Sequence, residues 1–61
     1  MPTGFGLIDY VEAARLLGLS KDTLRRYVSC RKLPFYKIGT RVFFDPEELR
    51  TWVYERKVSP I

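Results

Sequence analysis

Histidine is absent from this 61-residue chain, and cysteine occurs only once, as Cys30. A single thiol cannot form an internal disulfide, and without histidine the usual zinc ligand sets are incomplete, so we expect no metal site. Small secreted domains usually depend on several disulfides, so a reducing, cytoplasmic location is favoured. No apolar run approaches the roughly 20 residues that span a bilayer, so we expect no membrane partner. No histidine can activate Cys30, and a capping role accounts for Asp45, Glu47 and Glu48, so we expect no catalytic residue and no enzymatic activity. We also expect no cofactor.

The composition is that of a small globular domain. Hydrophobic residues make up 46% of the chain and aromatic residues 15%, which is too apolar for a disordered protein. A chain of this length has room for one domain. We expect a flexible arm over residues 1–6, the folded domain over 7–57 and a frayed tail over 58–61.

Acidic residues are nearly missing from the middle of the chain, between Lys21 and Arg41. This segment holds seven basic side chains and the single acid Asp22, a formal charge of +6, whereas the whole chain carries +4. The two flanks together therefore carry −2. A segregated basic segment on a small domain is typical of nucleic-acid binding proteins, although many charge runs are only solvated surface.

Three segments begin with a residue that can cap a helix, namely Asp9, Ser20 and Asp45. Glu12 and Glu48 stand three residues after the first and third of these, which is the capping-box spacing. The first helix is predicted to stop at Gly18, and the second to run from about Lys21 to Cys30. Two helices joined by so short a turn predict a helix-turn-helix, whose second helix enters the major groove of DNA.

Apolar residues recur at helical spacing in all three segments and predict the core. They are Val11, Ala13, Ala14, Leu16 and Leu17 in the first, Leu24, Tyr27 and Val28 in the second, and Leu49, Trp52 and Val53 in the third. The aromatic rings of Tyr27, Phe44 and Trp52 could instead stack on a single strand of nucleic acid. Their spacing with other apolar residues favours the core.

A hairpin is predicted between the second and third helices, because two aromatic and β-branched runs flank Gly39-Thr40. A two-residue loop would place Ile38 opposite Arg41 and mix apolar with charged side chains on each face. A three-residue loop, residues 39–41, would pair Ile38 with Val42 and Tyr36 with Phe44 on one apolar face. We prefer the three-residue loop, which turns Lys37 outward and lifts Arg41 to the tip of the ribbon.

The ordered set of these pieces resembles a known family. The matching segments are residues 11–20, 23–27, 32–34, 36–41 and 45–52. From Leu7 to Val53 the chain is similar to the small winged-helix DNA-binding domain of phage and plasmid excisionases, which is related to the mercury-resistance-type regulators. The resemblance implies a mainly α fold with a small β-hairpin, a winged helix-turn-helix. It also implies that Thr23 and Arg25 lie on the DNA side, and that Lys37 and Arg41 belong to a wing that reaches the minor groove.

The chain departs from the pattern of these families at two positions. Arg26 stands where the regulators usually carry tyrosine, and Val42 stands where many members carry tryptophan. The resemblance implies an excisionase that binds and bends double-stranded DNA and biases an integrase or recombinase toward excision, with possible cooperative self-association on DNA. A small transcription regulator, or a module that contacts a recombinase or a packaging enzyme, is the alternative.

The candidate DNA-binding residues form two groups. In the second helix they are Lys21, Asp22, Thr23, Arg25, Arg26 and Ser29, and in the wing they are Lys37, Thr40 and Arg41. Asp22 is spaced to pair with Arg25 or Arg26, so one of these arginines could be tethered to it instead of reading a base.

Overall fold

The computed structural model describes residues 5–58 and shows three helices and one antiparallel hairpin. In chain order the elements are α1 (Tyr10–Leu17), α2 (Lys21–Ser29), β1 (Tyr36–Ile38), β2 (Arg41–Phe43) and α3 (Pro46–Glu55). This order confirms the predicted winged helix-turn-helix. Most of the predicted arm and tail, residues 1–4 and 59–61, lies outside the described residues. Phe5 and Val58, at the two ends of the described chain, are exposed.

Each helix begins at the predicted capping residue. The side chain of Asp9 accepts a hydrogen bond from the backbone N–H of Glu12 at 3.0 Å, and Ser20 Oγ accepts from the N–H of Thr23 at 3.1 Å. Asp45 accepts from the N–H of Glu47 at 2.9 Å, with Pro46 in the first helical position. Each cap satisfies an N–H that the helix itself leaves without a partner, which typically contributes about 1 kcal/mol.

Helix α1 ends where Gly18 enters the left-handed region, at φ 70°. The N–H of Gly18 donates to the carbonyl of Arg15, and the N–H of Leu19 donates to the carbonyl of Ala14 at 3.0 Å. This is the Schellman arrangement, in which glycine is favoured because it has no Cβ to clash. The chain then enters α2 within three residues, so the two helices pack as neighbours, as the sequence predicts.

The predicted three-residue loop of the hairpin is wrong. Tyr36 pairs with Phe43 and Ile38 with Arg41, which leaves only Gly39 and Thr40 in the turn. Gly39 has a φ of 64°, whereas Thr40 has no positive φ. That is the φ pattern of a type II′ turn, whose twist matches that of the flanking strands. The backbone geometry of the turn therefore outweighed the side-chain alternation on which the prediction rested.

Phe44 fixes which face of the ribbon turns inward. Its backbone exchanges two hydrogen bonds with Ile8, at 2.8 and 2.7 Å, and both side chains are buried. Side chains alternate along a strand, so Val42 lies on the same side as Phe44 and packs against the core. The other side of the ribbon carries Tyr36, Ile38, Arg41 and Phe43.

The core is small and draws on every helix. Its buried members are Ile8, Ala13, Ala14, Leu24, Leu33, Phe44 and Leu49, and the half-buried Tyr27 and Trp52 pack against them. The core interpretation of Tyr27, Phe44 and Trp52 is therefore confirmed. Three residues predicted in the apolar faces are instead exposed, namely Val11, Leu16 and Val53. A helix of two or three turns offers only a narrow stripe to so small a core, and these residues fall outside it.

Candidate nucleic-acid interface

Helix α2 separates an apolar face from a polar one. Leu24 is fully buried, and Tyr27 and Val28 pack beside it against the core. The opposite side is in solvent and carries Lys21, Asp22, Arg25, Arg26 and Ser29. Five of the six residues predicted in this helix thus lie exposed together, on an element narrow enough to enter the major groove.

Thr23, the sixth predicted residue, is half-buried and takes part in the helix start. Ser20 Oγ donates to Thr23 Oγ1 at 2.9 Å, while the N–H of Thr23 donates back to Ser20 Oγ at 3.1 Å. The Thr23 hydroxyl therefore holds the N-terminal turn together. Its own proton is still available to a partner outside the protein. A DNA contact by Thr23 stays a prediction.

The two arginines of α2 are not held by the acid beside them. Within the part of the chain that the structure describes, no ion pair within 4.0 Å involves Asp22, Arg25 or Arg26. The guanidinium of Arg25 instead lies over the ring of Tyr10 in α1, 5.8 Å from its centroid. A cation held over a ring keeps its charge and its donors, so Arg25 is oriented by α1 without being neutralised.

The three candidate DNA-binding residues of the wing are exposed, but two of them occupy positions on the hairpin that differ from the prediction. Thr40 lies in the turn and is exposed. Arg41 begins β2 opposite Ile38, so its predicted place in the loop at the tip is wrong. Its guanidinium lies 5.6 Å from the centroid of the Phe43 ring. Lys37 is exposed, but it lies on the same side of the ribbon as Val42, with which it pairs. The predicted three-residue loop would place these two residues on opposite sides, and a loop shorter by one residue reverses that relation.

The turn end of the wing lies beside the start of α1. Asp9, Tyr10, Thr40, Arg41 and Val42 line a shallow cleft there. The hydrogen bond from the Glu12 N–H holds the pKa of the Asp9 carboxyl below its ordinary value, and the positive charge of Arg41 lowers this pKa further. The bond that caps α1 is therefore the main cause of the lowered pKa of Asp9.

A hydrogen bond ties the wing to α3. The hydroxyl of Tyr36 donates to Oε2 of Glu48 at 3.0 Å, and this bond to a carboxylate raises the pKa of Tyr36. The capping-box role predicted for Glu48 is wrong, because its side chain turns to Tyr36 while Asp45 caps the helix alone. Twelve residues separate the two partners, so no local spacing pattern in the sequence could indicate this contact.

Residues 5–58 contain no group of three or more His, Cys, Asp or Glu side chains that could hold a metal ion. Cys30 is a free, exposed thiol at the end of α2. None of the helices in the same range is long and apolar enough to cross a membrane.

The fold and the basic face of its second helix define a DNA-binding helix-turn-helix protein. Comparison with known families supports this class. A family model described as a helix-turn-helix domain matches residues 10–57, which is most of the chain. The chain therefore belongs to the helix-turn-helix domain family. Comparisons with curated proteins and with solved structures gave no match.

Proposed function

We propose that this protein binds double-stranded DNA sequence-specifically, with α2 in the major groove. The observation that carries the proposal is the solvent face of α2, where Arg25 and Arg26 project opposite the buried Leu24 and pair with no described carboxylate. Arginine is the side chain that most often reads guanine, through two parallel hydrogen bonds to O6 and N7. An arginine without an ion-pair partner does not have to break an ion pair before it binds a base.

The wing supplies the second contact in this proposal. Arg41 and Thr40 lie at or next to its turn, and Lys37 is exposed on the neighbouring strand. A cation on a thin ribbon suits the narrow minor groove of A·T-rich DNA, where the negative potential is strongest. The bond from Tyr36 to Glu48 joins the ribbon to the first turn of α3. We propose that this connection sets the distance between the two groove contacts.

The biological role that we propose is that of an excisionase of a phage or mobile element. The protein would bind near a recombination site, bend the DNA and favour excision by an integrase or recombinase. All bond breaking and joining would be done by the recombinase, and this protein would contribute no catalytic group. Support comes from the winged helix-turn-helix architecture and from the sequence resemblance described above.

Self-association on DNA is part of this proposal. Between α1 and α3 the structure leaves a groove with Leu16, Val53 and Tyr54 at its surface, all substantially exposed. Neighbouring copies bound to repeated sites could cover these side chains. Exposed apolar groups of this kind favour weak contacts between copies that are already aligned by the DNA.

Binding is tested by selecting duplexes from a random pool and titrating the best duplex over a salt series. We expect the affinity to fall steeply with salt, by about 0.9 log units per log unit of salt for each phosphate neutralised. Arg26→Ala should lower affinity for the selected duplex. Arg15→Ala is the charge-matched control, because Arg15 is an exposed cation on α1 that lies outside the α1–α3 groove and pairs at the surface with Glu12. Equal losses in the two variants would contradict a recognition role for α2.

The excisionase role needs a separate experiment. In cells that carry the gene, we expect its deletion to lower the amount of excised circular junction measured by quantitative PCR. Purified protein should also bend the selected duplex in a circular-permutation assay. If the junction is unchanged while transcripts of neighbouring genes change, the protein is a small transcription regulator and the excisionase proposal is wrong.

A further inference from the structure

A pocket with three cations lies at the C-terminal end of α2, apart from the candidate DNA-binding residues described above. It is lined by Tyr27, Arg31, Lys32, Trp52 and Arg56. Arg31 and Lys32 follow Cys30, the C-terminal cap of α2, and Arg56 is the C-terminal cap of α3. One acid pairs with the pocket cations, Glu55, whose Oε1 lies 3.7 Å from Nη1 of Arg56. The pocket therefore holds more positive than negative charge and suits an anion.

The backbone of Arg31 is the most unusual feature of this pocket. Arg31 has a φ of 56° and is the only residue other than glycine, among those described, with a positive φ. Its N–H donates to the carbonyl of Val28, and the N–H of Lys32 donates to that of Tyr27 at 2.9 Å. This is the same Schellman arrangement that ends α1, but α1 uses Gly18 at the left-handed position.

A side chain with a Cβ is strained at such a position, where glycine is not. Local backbone preference therefore does not account for an arginine there. Strain of this kind persists where the side chain contributes elsewhere, and it is often found at binding sites. The guanidinium of Arg31 is exposed on the pocket wall, so its charge is available to a ligand.

The other two cations are held in place by aromatic rings. Nζ of Lys32 lies 5.8 Å from the centroid of Tyr27, and the guanidinium of Arg56 stacks 4.1 Å from the centroid of Trp52. The carbonyl of Lys32 accepts from Trp52 Nε1 at 2.6 Å and from Arg56 Nη2 at 3.3 Å. These contacts join α3 to the end of α2, so the cations are positioned before any ligand arrives.

The length of α2 relates this pocket to the DNA backbone. Its nine residues span about 13 Å at about 1.5 Å per residue. The major groove is about 12 Å wide. If α2 lies across the groove with its polar face on the base edges, its C-terminal end therefore comes beside one of the two phosphate backbones that border the groove.

We infer that the pocket of Arg31, Lys32 and Arg56 binds a backbone phosphate of the DNA duplex. This inference rests on the proposed DNA binding and adds a contact beyond the recognition helix and the wing. Phosphate contacts position a protein on its site and carry no sequence information themselves. The pocket would hence fix how deeply and at what angle α2 lies in the groove.

The test is Arg31→Gly, because it removes the charge and also relieves the backbone strain. We expect the Tm to rise by about 4 °C or more, since glycine suits the left-handed position in a domain this small. At the same time the slope of log affinity against log salt should become shallower by about 0.9, the value for one lost phosphate contact. The preferred base sequence should not change.

Two further variants complete the experiment. Lys32→Gln removes a pocket charge but keeps the backbone carbonyl that Trp52 and Arg56 contact, and it should flatten the slope by a similar amount. Arg15→Gln removes one charge from the exposed side of α1, outside both the pocket and the α1–α3 groove, and should keep the parent slope. A parent slope in both pocket variants, or an equal change in the control, would overturn the phosphate site. Failure of the parent protein to bind any duplex would instead overturn the proposed function.

Discussion

Replacement of Trp52 tests how the third helix is attached to the rest of the domain. The indole packs against the core, contacts the Tyr27 ring edge-on at 6.0 Å and donates through Nε1 to the carbonyl of Lys32 at 2.6 Å. Replacing a core tryptophan by alanine typically costs about 3–5 kcal/mol. Trp52 is half-buried, so we expect the lower part of this range.

The size of the domain makes this loss severe. At about 0.05–0.15 kcal/mol per residue, a chain of 61 residues has a free energy of unfolding of roughly 3–9 kcal/mol. Trp52→Ala should consequently remove a third or more of the stability and leave a substantial unfolded fraction at 37 °C. Trp52→Phe keeps a ring but loses the donor, and should cost about 1–2 kcal/mol through the hydrogen bond and the reduced contact.

Urea denaturation followed by far-UV circular dichroism measures both variants. Trp52 is the single tryptophan, so its fluorescence cannot report on proteins that lack it. Leu16→Ala is a suitable control, because that side chain is 59% exposed and its truncation should change stability little. A Trp52→Ala protein that unfolds cooperatively at the parent urea concentration would refute the packing argument. A Trp52→Phe protein as stable as the parent would refute the role of the hydrogen bond.

Three other predictions concern the DNA contacts and the first helix. Arg25→Ala and Arg26→Ala should each cost about 1–3 kcal/mol of binding free energy and relax specificity at one base pair, because each arginine is proposed to contact a base. Gel-shift titration on matched and mutated duplexes measures both the affinity and the specificity. Parent-like binding by both variants would contradict the assignment of α2 as the recognition helix. Arg41→Ala should flatten the slope of log affinity against log salt by about one unit and weaken binding to A·T-flanked sites more than to G·C-flanked ones. Circular dichroism should show an intact fold. An unchanged slope and an unchanged flank preference would mean that Arg41 does not enter the minor groove. The lowered pKa of Asp9 means that its ionised cap stabilises the fold above about pH 4 and that this contribution is lost as the pH falls through the folded-state pKa. Asp9→Asn keeps a capping side chain that does not titrate, so the stability of the parent relative to this variant should fall on acidification, and a constant difference from pH 7 to pH 3 would contradict the pKa shift.

Local signals in the sequence determined the helices of this protein and the class of its binding surface. A cap and the N–H that it binds are two or three residues apart, as at Asp9, Ser20 and Asp45, so the information is contained in a few neighbouring residues. The separation of Arg25 and Arg26 from Leu24 follows from helical periodicity in the same way. These features need no knowledge of how the helices pack.

The tertiary structure alone decided which face of the wing turns inward and which contacts hold it. The buried Phe44 is fixed by backbone bonds to Ile8, 36 positions earlier in the chain, and the alternation of the ribbon follows from that anchor. The bonds from Tyr36 to Glu48 and from Trp52 to Lys32 cross 12 and 20 residues. Such pairs meet only when distant segments pack together, because their geometry depends on the whole fold and not on local spacing. The composition of the basic surface was therefore readable in the sequence, whereas the orientation of its parts required the packed domain.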